Sequence, residues 1–405
     1  MHVNFSLKKI GPGLLFAGAA IGVSHLVQST RAGADFGFGL IWALLLVNLF
    51  KYPFFQFGPR YASATGESLL EGYKKLGKPV LIAYFILTFA TMFTIQTAVT
   101  IVTAGIASSL FGNVFSIEIW TVIILGICLL LLLVGKYKLL DKLIKIIIVT
   151  LTISTIIAVC FALFNETQTI SLIQILPKNS VEIGFLIAFM GWMPAPLDIS
   201  VWHSLWAIEK EKSSGEFSPK SALFDFNVGY ISTILLGIAF VSLGALVMFQ
   251  SGLTFSHSAS NFANQLLAMY TQNLGNWAYI FVGIAAFTTM FSTTLTTLDA
   301  SPRAMAKTTQ LLTGNIFKKG YVVWILLLTI GTIIIFFYYA SEMGLLIKIA
   351  TILSFLTAPF YAIINYTLIS SKHTPREWRP SKELHLLSIL GIIFLLGFSI
   401  WYLTY

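Results

Sequence analysis

An all-α membrane protein is the fold class this sequence predicts, on three observations: apolar composition, apolar runs of bilayer length, and basic residues gathered on one side. The 405 residues are 57% hydrophobic and only 10% charged, with a mean hydropathy of +0.85. A water-soluble domain carries about 25% charged residues, so most of this surface has to meet lipid. The net charge of +9 does not point to nucleic acid. Its basic residues sit in short clusters between apolar runs, which is the pattern of membrane orientation. Cys128 and Cys160 lie within apolar runs as small hydrophobes, with no disulfide framework and no zinc spacing. No nucleophile–base pair or cofactor motif stands out, so neither an enzyme nor a cofactor is expected. The first apolar run starts at Gly11 and leads straight into a span, so no cleavable leader is expected.

Runs of about 17–25 apolar residues mark spans, and eleven follow in order. They cover approximately 11–34, 38–60, 80–108, 116–134, 142–164, 181–207, 222–249, 275–300, 321–340, 344–369 and 384–404. The first is interrupted at Gly22-Val23-Ser24-His25 and the sixth at Gly191-Trp192-Met193-Pro194-Ala195-Pro196. The second carries Lys51 beside Pro53, and the third has no acid, with Gln96 its most polar member. The eighth is rich in hydroxyls, from Thr288 to Thr297, and the connections between spans are short and polar.

Charge gives the orientation. With the N-terminus cytoplasmic, nearly all of the 25 basic residues fall inside, in clusters such as Lys74, Lys75 and Lys78 or Arg303, Lys307, Lys318 and Lys319. Only Arg31 and Lys178 fall outside, while Lys51 and Lys348 lie within spans. Eleven spans then put the C-terminus outside.

Spans 1–5 and 6–10 each begin with a broken helix. Five is odd, so the second unit enters the membrane from the opposite side. This is the inverted five-helix repeat of the LeuT-type transporter fold, with one extra helix. A single transmembrane domain over 1–405 is expected, with repeat one at about 11–164, repeat two at about 181–369 and the extra helix at about 384–404. Breaking a helix in lipid strands polar backbone groups, so each break has to line a cavity or be buried in protein. Paired breaks are therefore where such a bundle binds its cargo.

Several stretches resemble the Nramp family of proton-coupled divalent-metal transporters. They are Gly11-Pro12-Gly13, Arg31-Ala32-Gly33-Ala34-Asp35-Phe36-Gly37, Arg60-Tyr61-Ala62-Ser63-Ala64-Thr65-Gly66, Met193-Pro194 and Ala358-Pro359-Phe360. The resemblance covers nearly the whole chain, including the eleven-span count. It implies a secondary transporter of a metal cation such as manganese or iron, driven by protons. The metal motifs depart from that family. Its span-1 Asp-Pro-Gly-Asn is replaced by Gly22, Val23, Ser24 and His25, and its span-6 Met-Pro-His reads Met193-Pro194-Ala195. Its span-3 acids have no counterpart. Met193, a soft ligand that favours transition metals, is retained.

Candidate residues follow from the breaks. His25, Met193 and Asp198 are the expected metal ligands, and Gly22 and Met190 complete the substrate-binding candidates. His25 is a metal ligand or proton carrier, or a hydrogen-bonded interior histidine. Asp198 is a ligand or proton acceptor, or a carboxylate in the first turn of a half-helix that Pro196 opens, where the dipole favours it. Ser24 is a natural N-cap. His203 reads as structural. Lys51 reads as a snorkelling side chain, or else as a counter-ion to Asp198 or to an anionic cargo. Arg31 attracts anions or anchors at the interface. Ser292 and Thr293 weakly resemble the span-8 hydroxyls that bind sodium together with span-1 carbonyls in sodium-coupled LeuT-type transporters. The coupling candidates are thus His25, Asp198, Ser292 and Thr293, for protons or sodium. The second reading is a proton- or sodium-coupled symporter of a non-metal small solute that has lost the metal site. A bacterial inner (plasma) membrane, multi-pass, is the expected location.

Overall fold

The computed structural model describes residues 11–112, 114–134, 137–165, 171–214, 218–249, 256, 259–275, 278–339 and 342–404. Lys8, Lys9 and Lys136, counted in the charge asymmetry, lie outside them, as do the side chains of Lys138, Lys142 and Lys145.

Fifteen α-helices are described. The first broken element is α1 (Pro12–Ala20), a π-helical turn (Ser24–Ser29) and α2 (Thr30–Phe36). Then come α3 (Ile41–Thr65), the short α4 (Leu69–Leu76), α5 (Lys78–Phe111), α6 (Ile117–Val134) and α7 (Tyr137–Asn165). The second broken element is α8 (Ser180–Trp192) and α9 (Ile199–Ser214). It is followed by α10 (Pro219–Val247), α11 (Ala259–Leu274), α12 (Ala278–Thr313), α13 (Gly320–Tyr339), α14 (Met343–Ser370) and α15 (Lys382–Thr404). Among the described residues, eight helices are long and apolar enough to cross a bilayer, and α1 with the segment to Phe36 makes a ninth crossing bent by 46°. The fifth and sixth runs of the sequence correspond to α7 and to the α8–α9 pair, whose apolar stretches are shorter.

Burial follows position in the bundle. The spans α3, α5 and α12 are buried over more than half of their apolar windows, whereas α6 and α15 are buried over only 22%. Leu130, Leu133, Ile393 and Ile400 are correspondingly exposed, which is the placement expected of lipid-facing side chains. The two broken elements form the middle. Every residue from Gly18 to Thr30 is buried, and so is every residue from Leu186 to Ser204 except Pro196.

Close backbone contact holds α1 and α2 on α10. Gly13 lies against the backbone of Asp225, and Gly229 lies against Gly13. One level further on, a Cβ at Gly33 would come within 2.0 Å of the Val241 carbonyl oxygen, and a Cβ at Gly244 within 2.1 Å of the Thr30 carbonyl oxygen. Small residues that let helix backbones touch are the usual device of helix packing in membranes.

The short helix α4 is built differently. Ser68 and Glu71 form a reciprocal capping box at its start, and its basic end carries Lys74 and Lys75. Burial alone would raise the Glu71 carboxyl, but Lys307 Nζ at 2.8 Å and the Ser68 groups hold it below the usual carboxylate range. That ion pair ties α4 to the end of α12.

Filling the α2–α10 contact tests this packing. Gly33→Val should lower the melting temperature of purified protein sharply or abolish its accumulation. Gly126→Ala, on α6 with no atom within 4 Å of the added Cβ, should leave it unchanged. Equal melting curves for both would contradict the packing described.

Candidate functional site between the two helix breaks

The first break follows Ala20. Ile21 and Gly22 still bond back to Ala17 and Ala20, and the helix then resumes as a wide π-turn. Ser24 does not cap this turn as its residue type suggests. Its hydroxyl bonds back to the Ala20 carbonyl and lies 2.7 Å from His25 Nδ1. The break lets the chain swing so that Ser24 is already helical, so its oxygen reaches the preceding turn. His25 is fully buried. Its Nδ1 is 3.1 Å from the Ala20 carbonyl and its Nε2 is 2.9 Å from the Thr233 carbonyl on α10. Two carbonyls face a ring that has one N–H when neutral, and the rotatable Ser24 hydroxyl can supply the missing donor. One ring nitrogen donates to a carbonyl, and the other keeps its lone pair unless the Ser24 proton leaves the Ala20 carbonyl for it.

The second break is where a side chain from elsewhere intervenes. Helix α8 ends at Trp192, and its last carbonyls have no intrahelical partner. Lys51, fully buried in the middle of α3, meets them. Its ammonium donates to the carbonyls of Met190 and Gly191 at 2.8 Å each, of Met193 at 3.2 Å and of Ala195 at 3.3 Å. An ammonium has three N–H groups, so four oxygens saturate it. The negative end of the α8 dipole favours the same charge. Lys51 thus does not snorkel to the interface as its stem length allows. The reason is energetic: a row of unpaired carbonyls in a dry bundle is costly, and this ammonium satisfies them.

Past the cis Met193–Pro194 peptide, α9 begins at Ile199 rather than at Pro196. The residues 196–200 form i→i+3 turns first, with Ile199 bonded to Pro196 and Ser200 to Leu197. Asp198 therefore sits immediately before the helix instead of within its first turn. It is 5% exposed and its Oδ1 has no hydrogen-bond partner.

The other expected residues fall in three places. The Met193 sulfur and His25 Nε2 both face Gly237 of α10, at 3.4 and 3.8 Å from where its Cβ would stand. Met190 is buried and contributes its carbonyl to Lys51. Gly22 packs on Thr293 of α12, whose side chain would lie 2.8 Å from an added Cβ. Among the described residues no group of three His, Cys, Asp or Glu side chains is arranged to hold a metal ion. His203 stacks on Phe16 at 5.6 Å between Phe226 and Trp206, with neither ring nitrogen bonded.

Helices α5 and α12 close the space between the breaks. Thr293 Oγ1 is 3.2 Å from the Gly18 carbonyl and 3.4 Å from that of Ile21, while the neighbouring Ser292 hydroxyl is buried without a partner. Gln96 of α5 clasps α12, donating to the Thr294 carbonyl at 3.2 Å and accepting from Thr297 at 2.7 Å. A cavity of about 20 Å³ remains at this crossing, with Ala20, Ser24, Val99, Trp192, Trp202 and Thr293 in its wall. It has room for one water-sized guest. A second, open cavity of about 580 Å³ lies on the far side of Gln28, where Arg31, Asp35, Glu182, Glu342 and Lys348 line it. Arg31 there stands 5.8 Å from the Phe185 ring centre.

Sequence reasoning missed Asp225. Its carboxylate accepts from the Gly11 and Gly13 amides at 3.0 and 2.7 Å, capping α1 from a neighbouring span. A lone acid in the apolar run 222–249 was the available signal.

Two helices broken at the middle of a buried bundle, each break meeting polar groups from other spans, define a LeuT-type transporter architecture. Similar solved structures share the fold. They include a histidine-to-alanine variant of the Eremococcus coleocola manganese transporter, at TM-score 0.70 and 14% identity, over 96% of this chain and 85% of that one. A nucleobase-cation-symport-1 family transporter with bromovinylhydantoin bound matches at TM-score 0.61 and 14% identity, over 98% and 92%. MhsT in complex with L-phenylalanine matches at 0.64 and 13%, over 98% and 99%. The family model of natural resistance-associated macrophage protein-like (Nramp) proteins matches residues 13–405, and the chain belongs to that family of metal-ion transporters. An uncharacterized protein of Pasteurella multocida (strain Pm70) is 37% identical over 410 residues, covering all of this chain and 93% of that protein.

Removing the Asp225 cap tests how α1 is held. Asp225→Ala leaves two buried amides without acceptors, at about 1–3 kcal/mol each, so the melting temperature should drop by several degrees, with Asp225→Asn between it and the parent. An unchanged melting temperature in Asp225→Ala would contradict the cap.

Proposed function

We propose that this protein is a secondary active transporter that carries a metal cation, manganese or iron in the first instance, across the plasma membrane by alternating access. The cation loads between the two breaks, with Met193 and His25 as its side-chain ligands beside backbone carbonyls, and Asp198 as counter-charge or proton acceptor. One observation carries the reading: both breaks turn backbone carbonyls toward side-chain donors from other helices. Gly18 and Ile21 face a hydroxyl, and Met190, Gly191, Met193 and Ala195 face an ammonium. Oxygens so presented favour a cation over an anion. Family membership and the likeness to a manganese transporter support the same cargo.

The driving ion is a proton or sodium. For sodium, Ser292 and Thr293 with the carbonyls of Gly18 and Ile21 are the site; for protons, His25 and Asp198 are the carriers.

A second reading has its own observation. The 20 Å³ cavity between the breaks is walled by Ala19, Ala20, Ile95, Val99, Trp192 and Trp202, with hydroxyls and no acid or imidazole. Such a lining has the chemistry of a site for a small organic solute with an apolar part, which could enter only once the breaks move apart, because the space now admits a single water-sized guest.

Reconstituted liposomes loaded with a metal-quenched dye separate the two. External manganese should quench the dye with the parent protein, and Met193→Leu, which keeps volume but removes the thioether, should lower the apparent affinity about tenfold. No response to manganese, iron, cobalt and cadmium in folded protein would contradict metal as cargo and favour the organic solute. Uptake that follows a sodium gradient and is lost in Ser292→Ala/Thr293→Ala would assign the driving ion.

A further inference from the structure

The carbonyl cup at the α8–α9 break has dimensions of its own. Its four oxygens stand 2.8, 2.8, 3.2 and 3.3 Å from the Lys51 nitrogen. Magnesium binds oxygen at about 2.0–2.1 Å and calcium at about 2.3–2.6 Å, so the cup is too wide for either as it stands. It fits an ammonium, or a potassium-like ion of the same girth. Four carbonyl oxygens replacing a hydration shell is also how neutral backbone binds large monovalent cations. Lys51 is anchored on α3, whereas the cup belongs to the break between α8 and α9, so occupant and site come from separate elements.

We propose that the α8–α9 break is a binding site for an ammonium-sized monovalent cation, and that its occupant in this protein is the tethered ammonium of Lys51. The break is thereby held in a cation-bound form without an ion from solution. A cargo ion that needs these oxygens has first to displace Lys51. This goes beyond the transport reading, because it holds whichever solute crosses the membrane.

The tether makes the site testable by substitution. Full-length Lys51→Met and Lys51→Arg are purified in detergent, and the melting temperature is followed as potassium, ammonium or methylammonium replaces N-methylglucamine at constant ionic strength. In Lys51→Met the emptied cup should take the added ion, and the melting temperature should rise by several degrees with saturation. The parent, whose cup is filled, should not respond, and Lys51→Arg, which keeps a tethered cation, should respond less than Lys51→Met. No greater response in Lys51→Met than in the parent overturns the proposal, and so does an equal rise in all three. If Lys51→Met accumulates poorly, extraction in potassium against N-methylglucamine decides: recovery in potassium alone supports the site, and recovery in neither overturns it. Failure of the metal reading would show separately, as a flat manganese response in liposomes carrying the parent protein.

Discussion

A broken helix inside a bilayer leaves carbonyls that water cannot reach, and the way those carbonyls are satisfied organises this protein. At the second break the answer is a single ammonium, Lys51, taken from α3 and placed among four oxygens. An isolated ammonium in such surroundings is costly, and so are unpaired carbonyls. Together they cancel most of each other's penalty. Removing one partner alone leaves the other exposed to the full cost, as for any buried charged pair.

The first break is satisfied by other means. Thr293 from α12 reaches the Gly18 and Ile21 carbonyls, while Ser24 and His25 cover that of Ala20. Gln96 and Thr297 lock α5 to α12 behind it, and Gly22 lets α12 come close. Each break is thus completed by a different part of the bundle: α3 for one, α12 for the other. Relative movement of these parts would change the coordination of both breaks.

Much of this was legible in the sequence. Gly191, Pro194 and Pro196 announce the second break because glycine and proline interrupt helices by their own geometry, and the apolar runs place the spans by length. What the spans do to one another was not legible. Lys51 and its acceptors are separated by some 140 residues, and nothing in the local pattern around Lys51 and Pro53 distinguishes a snorkelling lysine from one aimed inward. The start of α9 was misplaced by three residues because Pro196, suited to a first helical position, here opens a turn instead. Asp225 escaped notice for the same reason as Lys51: its partners, Gly11 and Gly13, lie in another span.

The residues at the two breaks also gain a physical meaning. With no carboxylate in the first break and no imidazole after Met193, the second break holds its oxygens on an internal cation. The most direct measurement is anomalous diffraction from rubidium-soaked crystals of Lys51→Met and of the parent. The account predicts a rubidium peak among the carbonyl oxygens of Met190, Gly191, Met193 and Ala195 in the variant, and none in the parent, where Lys51 fills that position. An empty cup in the variant, or a peak there in the parent with Lys51 pointing elsewhere, would contradict it.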